Sequence, residues 1–154
     1  MSAIIEPELE NLANIHNFAA LDLVHIKLLL PQSEIKTLEP GFDVKDLDGK
    51  KESEKSITLD GKQLPVYCFG PDLLIIQTIP DEYRVCAIVN SEKYCFGILC
   101  NQVITIEQSQ LKFFSMPGCM HTVHSPLLAL AQYEGQVICV SSTVYLAKYI
   151  HKNT

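Results

Sequence analysis

Glycine is scarce and scattered in this sequence, which excludes the common phosphate-binding loops. The chain has seven glycines in 154 residues, and none of them are clustered. Walker-type loops and dinucleotide-binding turns need closely spaced glycines, because the backbone there must approach phosphate groups directly. No stretch resembles a nucleophile elbow, and paired carboxylates occur only in polar, loop-like segments. We therefore expect a protein that is not an enzyme and that needs no cofactor.

Basic residues and long apolar runs are also in short supply. Lysine and arginine total 12 against 18 acidic residues, which gives a net charge of -6. Nucleic acid is therefore not an expected partner, since binding it requires a basic face. No apolar run approaches the roughly 18 to 20 residues of a membrane span, so we expect no membrane insertion. The first ten residues lack the features of a secretory signal, and we expect a cytoplasmic protein.

The composition is nevertheless that of a protein with a sizeable core. Hydrophobic residues make up 47% of the chain and charged residues 19%, which is typical of a folded domain rather than a disordered one. Most of the six cysteines lie inside apolar, strand-like runs, at positions 68, 86, 95, 100, 119 and 139. We expect them to be reduced, buried thiols rather than a disulfide framework.

The stretch from Arg84 to Ile106 predicts a buried β-hairpin around which the chain is organised. Two apolar runs flank the polar segment Asn90–Lys93. This break is too short for a crossover helix, so the two strands are expected to be antiparallel. Their continuous apolarity predicts burial on both faces. Gly97, in the middle of a strand, predicts a bulge or a close approach of neighbouring atoms.

Further short strands are predicted along the chain, with glycine and proline between them. Residues 18–30 alternate imperfectly and are predicted to form one strand, and Asp60-Gly61 is a strong tight-turn signal. Residues 39–56 are the most polar part of the chain, and we interpret them as a solvated connector, with a contact loop as the alternative. No repeat of fixed period is evident. The pattern predicts a mainly β fold, a barrel or a sandwich.

The last third of the chain predicts a helical turn or loop, a strand and a helix. Residues 125–131 are assigned to the turn or loop, and residues 137–140 to a final buried strand. Ser141 or Ser142 is the expected N-cap of a helix over residues 143–150. Four side chains of this helix are expected to face inward: Val144, Leu146, Ala147 and Ile150.

One cluster in the sequence has the residue types of a metal site. Cys119, His121 and His124 lie within six positions, and thiolate and imidazole are the ligands that zinc prefers. The spacing is not that of a standard zinc finger, and a fourth ligand would have to come from elsewhere, for example from Cys100. A small metal- or ligand-binding β-barrel that uses this loop is therefore the alternative hypothesis.

Four segments, in this order along the chain, resemble the CheW-like domain of bacterial chemotaxis coupling proteins. They are Leu29–Ile35 (LLPQSEI), Leu59–Val66 (LDGKQLPV), the hairpin Arg84–Val103, and Gln136–Val140 (QVICV). The resemblance covers about residues 18 to 150. It implies two intertwined, five-stranded, SH3-like β-barrel subdomains with a short C-terminal helix. It divides the chain into an N-terminal segment, residues 1–17, which is helical or a tail, and a CheW-like domain, residues 18–154.

The resemblance also implies a function and a set of contact residues. Proteins of this family are non-enzymatic adaptors that bind the regulatory domain of a CheA-type histidine kinase and the cytoplasmic tip of a chemoreceptor. The positions that correspond to the family's contacts are Ile35, Thr37 and Asp60. The family has a glutamate where this chain has Thr37 and an arginine where it has Asp60. We interpret the chain as a diverged member that serves a type IV pilus system or another alternative chemosensory system, or that binds a different partner.

Overall fold

The computed structural model describes residues 12–24, 26–46, 55–70, 73–76, 78–114 and 127–153. In these residues the chain is mainly β, with a single longer helix near its end. The strands are β1 Asn17–Asp22, β2 Lys27–Pro31, β3 Ile35–Pro40, β4 Lys45–Asp46, β5 Lys55–Leu59, β6 Lys62–Cys68, β7 Val85–Asn90, β8 Cys95–Cys100, β9 Val103–Glu107, β10 Lys112–Phe114, β11 Ala129–Tyr133 and β12 Gln136–Val140, and helix α1 is Thr143–Asn153. No helix in this part of the chain has the length and apolarity needed to cross a membrane.

The strands form two curled, six-stranded sheets. The first sheet has the order β10-β11-β12-β2-β1-β9, and the second has the order β3-β7-β8-β6-β5-β4. In each sheet the two edge strands are consecutive in the chain and are joined by a short 3-10 turn, Gly41–Asp43 in the second sheet and Gln108–Gln110 in the first. The expected fold class, mainly β with two barrel-like subdomains and a C-terminal helix, is confirmed. Each sheet has six strands rather than the five expected, since short strands such as β4 are included.

The chain runs twice through the same series of elements and exchanges a hairpin between the two halves. The hairpin β1–β2 is followed by β3 to β6, and the hairpin β7–β8 by β9 to β12. Each hairpin joins the sheet of the other half, through the parallel pairs β2–β12 and β6–β8. This is a repeat of strand order, and it was not found in the sequence because the equivalent strands do not share a residue pattern. As a result, neither half completes its sheet alone.

The exchanged hairpin β1–β2 is buried on both faces because successive side chains of a strand point to opposite sides. One set of its side chains packs with the second sheet in a shared core: Ala19, Leu21, Leu28 and Leu30. The alternate set packs inside the first sheet: Phe18, Ala20 and Leu29. This two-sided burial accounts for the nearly continuous apolar sequence of the segment.

The prediction of one strand over residues 18–30 was wrong, since the structure has two antiparallel strands there. The chain reverses between them, and the Leu23 amide donates to the Ile26 carbonyl over 2.9 Å. Val24 occupies the left-handed region with φ 71°, and its amide donates to Asp22 Oδ1 over 3.2 Å. A β-branched residue rarely adopts this conformation, so no turn signal was present in the sequence.

The predicted hairpins β7–β8 and β5–β6 are confirmed, whereas the hairpin β11–β12 was not predicted. Strands β7 and β8 pair antiparallel from Val85–Cys100 to Asn90–Cys95, and the register passes through Gly97 without a bulge. Two-residue turns with φ near +50° and +79° join β5 to β6 at Asp60-Gly61 and β11 to β12 at Glu134-Gly135. Positive φ at both central residues is the type I′ turn that suits the twist of a hairpin. Strand β11 corrects the predicted helical turn over residues 125–131, of which residues 125 and 126 lie outside the described residues.

Helix α1 is capped at its N-terminus by two side chains, one local and one distant. Ser142 Oγ accepts a hydrogen bond from the Tyr145 amide over 3.2 Å, which confirms the predicted N-cap. Glu34 Oε1 accepts one from the Thr143 amide over 2.7 Å, although the two residues are 109 positions apart. Glu34 lies in the turn where the chain crosses from the first sheet to the second. A carboxylate at a helix N-terminus bonds its free amides and complements its dipole.

The buried face of α1 differs from the predicted one at one position. Leu146, Ala147 and Ile150 are buried as expected, but Val144 is 36% exposed. Tyr149 is buried instead, and its hydroxyl donates to the Leu73 carbonyl over 2.9 Å. The tyrosine was not expected in the core because its hydroxyl needs a buried partner, and that partner comes from a distant segment.

Replacement of Glu34 tests whether the contact between the crossover turn and α1 stabilises the fold. We expect Glu34→Ala to lower the free energy of unfolding by about 1 kcal/mol, because a buried helix end loses its cap. Glu34→Gln should lose less, since it keeps an acceptor but not the charge. Urea denaturation measures both. Glu92→Ala, in the exposed β7–β8 turn, is the control, and equal stability of Glu34→Ala and this control would contradict the prediction.

A second prediction concerns the space at Gly97. A Cβ atom there would lie 2.6 Å from Cys86 Sγ and 3.0 Å from Val66 Cγ2, on two neighbouring strands. We expect Gly97→Ala to lower the free energy of unfolding by about 1–3 kcal/mol through overpacking. In the double variant Gly97→Ala/Cys86→Ala, the loss should be smaller than the sum of the two single losses. Additive losses in urea denaturation would show that the sulfur atom is not the obstacle.

Candidate interaction surface

Two of the three predicted contact residues, Ile35 and Thr37, lie on β3, an edge strand of the second sheet. In the sheet order β3 pairs with β7 on one side, which leaves its other side as an edge. Ile35 and Thr37 are both half-buried, and Ile35 packs against the shared core. The Thr37 hydroxyl donates to Glu39 Oε2 over 2.9 Å, on the same face of the strand. The two residues therefore share one strand, and the register of its pairing with β7 shifts between them.

The third predicted contact residue, Asp60, lies elsewhere on the second sheet. It is exposed at the tip of the β5–β6 hairpin, with φ 51°. Strands β7, β8 and β6 lie between β3 and β5 in the order of the sheet, so strand pairing does not bring Asp60 to the two β3 residues. The backbone conformation at this position favours aspartate, asparagine or glycine. The conformation of the turn is therefore part of the reason that the residue at this position is an aspartate.

Phe42, the most exposed aromatic side chain next to β3, was not among the predicted contact residues. Its side chain is 83% exposed and lies in the 3-10 turn Gly41–Asp43 that follows the strand. The turn is held in place, because the Gly41 amide donates to the Arg84 carbonyl over 2.7 Å and a Cβ at Gly41 would lie 2.9 Å from the Arg84 carbonyl carbon. The phenylalanine is thus presented to solvent from a fixed backbone.

Leu38, on β3 itself and four positions before Phe42, is a second exposed apolar side chain, with 48% of its surface exposed. We define the β3 edge as Ile35, Thr37, Leu38 and Phe42. Large exposed aromatic side chains are typical anchors of protein–protein interfaces. In the sequence, Phe42 falls in the polar stretch that we interpreted as a solvated connector. The sequence signal that could have identified Phe42 as a contact residue was a large aromatic residue between Gly41 and Asp43 in a polar stretch.

The buried ionisable groups of the second sheet are held in their neutral forms. Burial raises the pKa of the Cys68 thiol to about 11 and the pKa values of Cys86 and Cys100 to about 12. Burial, with smaller contributions from nearby ionisable groups, raises the pKa of Tyr83 to about 12. A thiol reacts as the thiolate, so these cysteines are poor nucleophiles at neutral pH. The region that these cysteines and Tyr83 form is a packed interior.

The alternative hypothesis of a metal site is tested only in part. Within residues 12–114 and 127–153, apart from the short gaps given above, no three His, Cys, Asp or Glu side chains are grouped so that they could hold a metal ion. Cys119, His121 and His124 lie outside the described residues. The hypothesis of a metal- or ligand-binding loop at these three residues therefore stays a prediction.

Comparison with known proteins identifies the fold. No protein-family model matches the chain, and no curated protein matches it. The structure is similar to the crystal structure of the scaffolding protein TtCheW from Thermoanaerobacter tengcongensis, with a TM-score of 0.59. The similarity covers 81% of this chain and 87% of that one, at 16% sequence identity. The chain has a CheW-like fold.

The CheW-like fold is shared with TtCheW although most residues differ. In this chain the fold consists of the two sheets, the exchanged hairpins and the terminal helix. At 16% identity, the surface residues of this chain have to be interpreted from their own chemistry. Among the described residues, the β3 edge is the surface that contains two of the predicted contact residues, Ile35 and Thr37, together with the exposed Phe42.

The raised thiol pKa values predict how the cysteines react with an alkylating reagent. At pH 9.0, the ordinary pKa of a cysteine thiol, Cys68, Cys86 and Cys100 should be thiolate on the order of one per cent of the time or less, rather than half. We expect half-exposed Cys95 to react with iodoacetamide much faster than these three. Peptide mass spectrometry of timed samples measures each rate.

Urea above the unfolding midpoint provides the control for this experiment, because the pKa values of the unfolded chain return to their ordinary range and the rates should become similar. The pH dependence of stability follows from the same increase in the thiol pKa values. Each thiol has a higher pKa in the folded protein than in the unfolded chain, so its contribution to stability is complete below pH 9.0 and is lost between pH 9.0 and about 11 for Cys68, or about 12 for Cys86 and Cys100. Equal labelling of Cys86 and Cys95 in the native protein would contradict the prediction.

Proposed function

We propose that this chain is a non-enzymatic adaptor that couples a chemoreceptor to a CheA-type histidine kinase through protein–protein contacts. The observation that carries the proposal is the β3 edge of the CheW-like fold, where Phe42 is 83% exposed on a fixed turn beside an edge strand. An edge strand offers unpaired backbone donors and acceptors, and an exposed aromatic side chain offers an anchor. TtCheW, which has the same fold, is described as a scaffolding protein.

Electrostatics at the β3 edge support a contact of the kind that the family resemblance implies. The glutamate expected at position 37 is replaced by a threonine. The hydroxyl of this threonine donates a hydrogen bond to the carboxylate of Glu39. A negative charge is therefore held on the same face of β3, two residues further along the strand. Because charge complementarity determines which partners are accepted, we expect the partner to present a basic group there.

The chemistry of the interior supports an adaptor rather than a catalyst. The buried thiols have raised pKa values, and the tyrosine hydroxyls of Tyr83 and Tyr149 donate to backbone carbonyls. These groups stabilise the fold and are not available for proton transfer at neutral pH. The five described cysteines are free thiols, which suits the reducing cytoplasm in which the kinase and the receptor tip would be met.

A capture experiment tests the proposal. The purified protein, immobilised, is exposed to extract from its own cells, and the bound proteins are identified by mass spectrometry. We expect a CheA-type histidine kinase and a chemoreceptor, whose identities would also show whether the system is of the pilus type. Phe42→Ser should reduce recovery of at least one of them about tenfold, the effect of losing a central aromatic anchor. Val137→Ser, which changes a 68% exposed side chain of the first sheet, is the control.

Substitutions at Asp60 separate a contact from a turn requirement in the same experiment. Asp60→Asn keeps a residue that tolerates positive φ, whereas Asp60→Arg reverses the charge. If Asp60 contacts a partner, we expect the asparagine variant to lose little binding and the arginine variant to lose more. Recovery of neither a kinase nor a receptor by the wild-type protein, or equal recovery with Phe42→Ser, would contradict the proposed function.

A further inference from the structure

A second candidate surface, separate from the β3 edge, lies between helix α1 and strands β6 and β8. It is an open groove of about 190 Å³. The strands contribute Tyr67 and Phe96, the β7–β8 turn and the residue after it contribute Lys93 and Tyr94, and the helix contributes Ile150 and His151. None of these residues belongs to the β3 edge, so the groove is independent of the proposed function.

The walls of the groove are aromatic and are fixed by contacts between rings. Tyr67 and Phe96 pack edge to face with their centroids 5.7 Å apart. Tyr94 and His151 pack at 5.9 Å across the boundary between strand and helix. Phe96 is only 4% exposed, so its ring is held in place by packing on most of its surface. The groove is therefore preformed, and ring packing of this kind favours an apolar or aromatic side chain as its occupant.

The volume of the groove indicates what kind of occupant it accepts. Pockets that enclose a small molecule usually measure about 300–1,000 Å³. The groove measures about 190 Å³ and is open, so it would hold a large side chain and not a whole small ligand. Single side chains that enter preformed pockets are the usual anchors of peptide segments on protein surfaces. We therefore look for the occupant among segments of partner proteins.

The charge of the groove limits the occupant further. Lys93 and His151 are the basic groups on its lining, and in the described part of the chain Lys93 makes no ion pair or hydrogen bond. The protein as a whole has a net charge of -6, so the basic lining of the groove is opposite in sign to the charge of the whole protein. At physiological salt the repulsion between the net negative charge of the protein and an acidic group is screened beyond about 8 Å. Charge contacts within the groove are shorter than this and are not screened in the same way. A carboxylate next to the anchoring side chain would pair with Lys93.

From these features we propose that the groove binds a short acidic segment of a partner protein, in which an aromatic or leucine side chain is flanked by carboxylates. The apolar side chain enters between Tyr94 and the Tyr67–Phe96 pair, and a flanking carboxylate approaches the Lys93 ammonium. A single exposed pair of this kind has a modest effect, so the charge sets the preference and the apolar anchor supplies most of the affinity.

The test uses the full chain and a defined probe. The probe is a five-residue peptide, blocked at both ends, with a central phenylalanine flanked by glutamates. Two control peptides replace the glutamates with glutamines or the phenylalanine with alanine. Titration is followed by the shifts of backbone amide signals in ¹H–¹⁵N NMR spectra. We expect saturable shifts at Tyr94, Phe96, Ile150 and His151, weaker binding of the glutamine peptide by about two- to fivefold, and no saturation with the alanine peptide.

Variants link the binding to the groove. Lys93→Glu should weaken binding of the probe about fivefold or more and remove the preference for glutamate over glutamine. Lys112→Glu, which makes the same charge change on β10 of the first sheet, should leave binding unchanged. The proposal is overturned by the absence of saturable shifts, by equal binding of the glutamate and glutamine peptides, or by shifts that map elsewhere. Shifts that depend on protein concentration without peptide would place a second copy in the groove and would also overturn it.

Discussion

The parallel pairing of each hairpin with the strands of the other half is the constraint on which the rest of the structure depends. Leu28 pairs with Cys139 and Tyr67 with Ile98, so each sheet is complete only when distant parts of the chain meet. The hairpin β1–β2 must then be apolar on both faces, because it lies between the interior of the first sheet and the shared core. Non-local pairing of this kind generally forms slowly, and neither sheet is complete until strands from both halves are in place.

The same exchange determines where surface is available to partners. In the second sheet, β7–β8 lies between β3 and β6 in the strand order, which leaves β3 and β4 at the edges. The 3-10 turn between them carries Phe42, and the bond from Gly41 to Arg84 fixes that turn against the segment that leads into β7. Helix α1, the last element, packs on the shared core, and the contact from Glu34 holds its N-terminus. The groove beside the helix and the β3 edge are therefore consequences of one topology.

The sequence was sufficient for elements that have a local signal. The β7–β8 hairpin, the turn at Asp60-Gly61 and the N-cap at Ser142 were predicted because alternation, turn residues and capping act over a few positions. The reversal at Val24 was missed because a valine with φ 71° has no such signal. The strand order was not predicted, and the intertwining of the two barrels came only from the family resemblance, since hairpin exchange depends on pairs that lie far apart in the chain, such as Leu28 and Cys139. Phe42 was missed because exposure is a property of the folded surface.

The positions of the two surfaces bear on the question of whether one chain can hold two partners at once. The β3 edge uses one end of the strand order of the second sheet, whereas the groove is formed by β6, β8 and α1 and shares no residue with it. A partner on the edge would add to the sheet laterally, and a segment in the groove would lie against the helix. Binding at one surface therefore does not require displacement at the other. The proposed adaptor function requires this separation, because a protein that offers the same surface to both partners makes them compete instead of joining them.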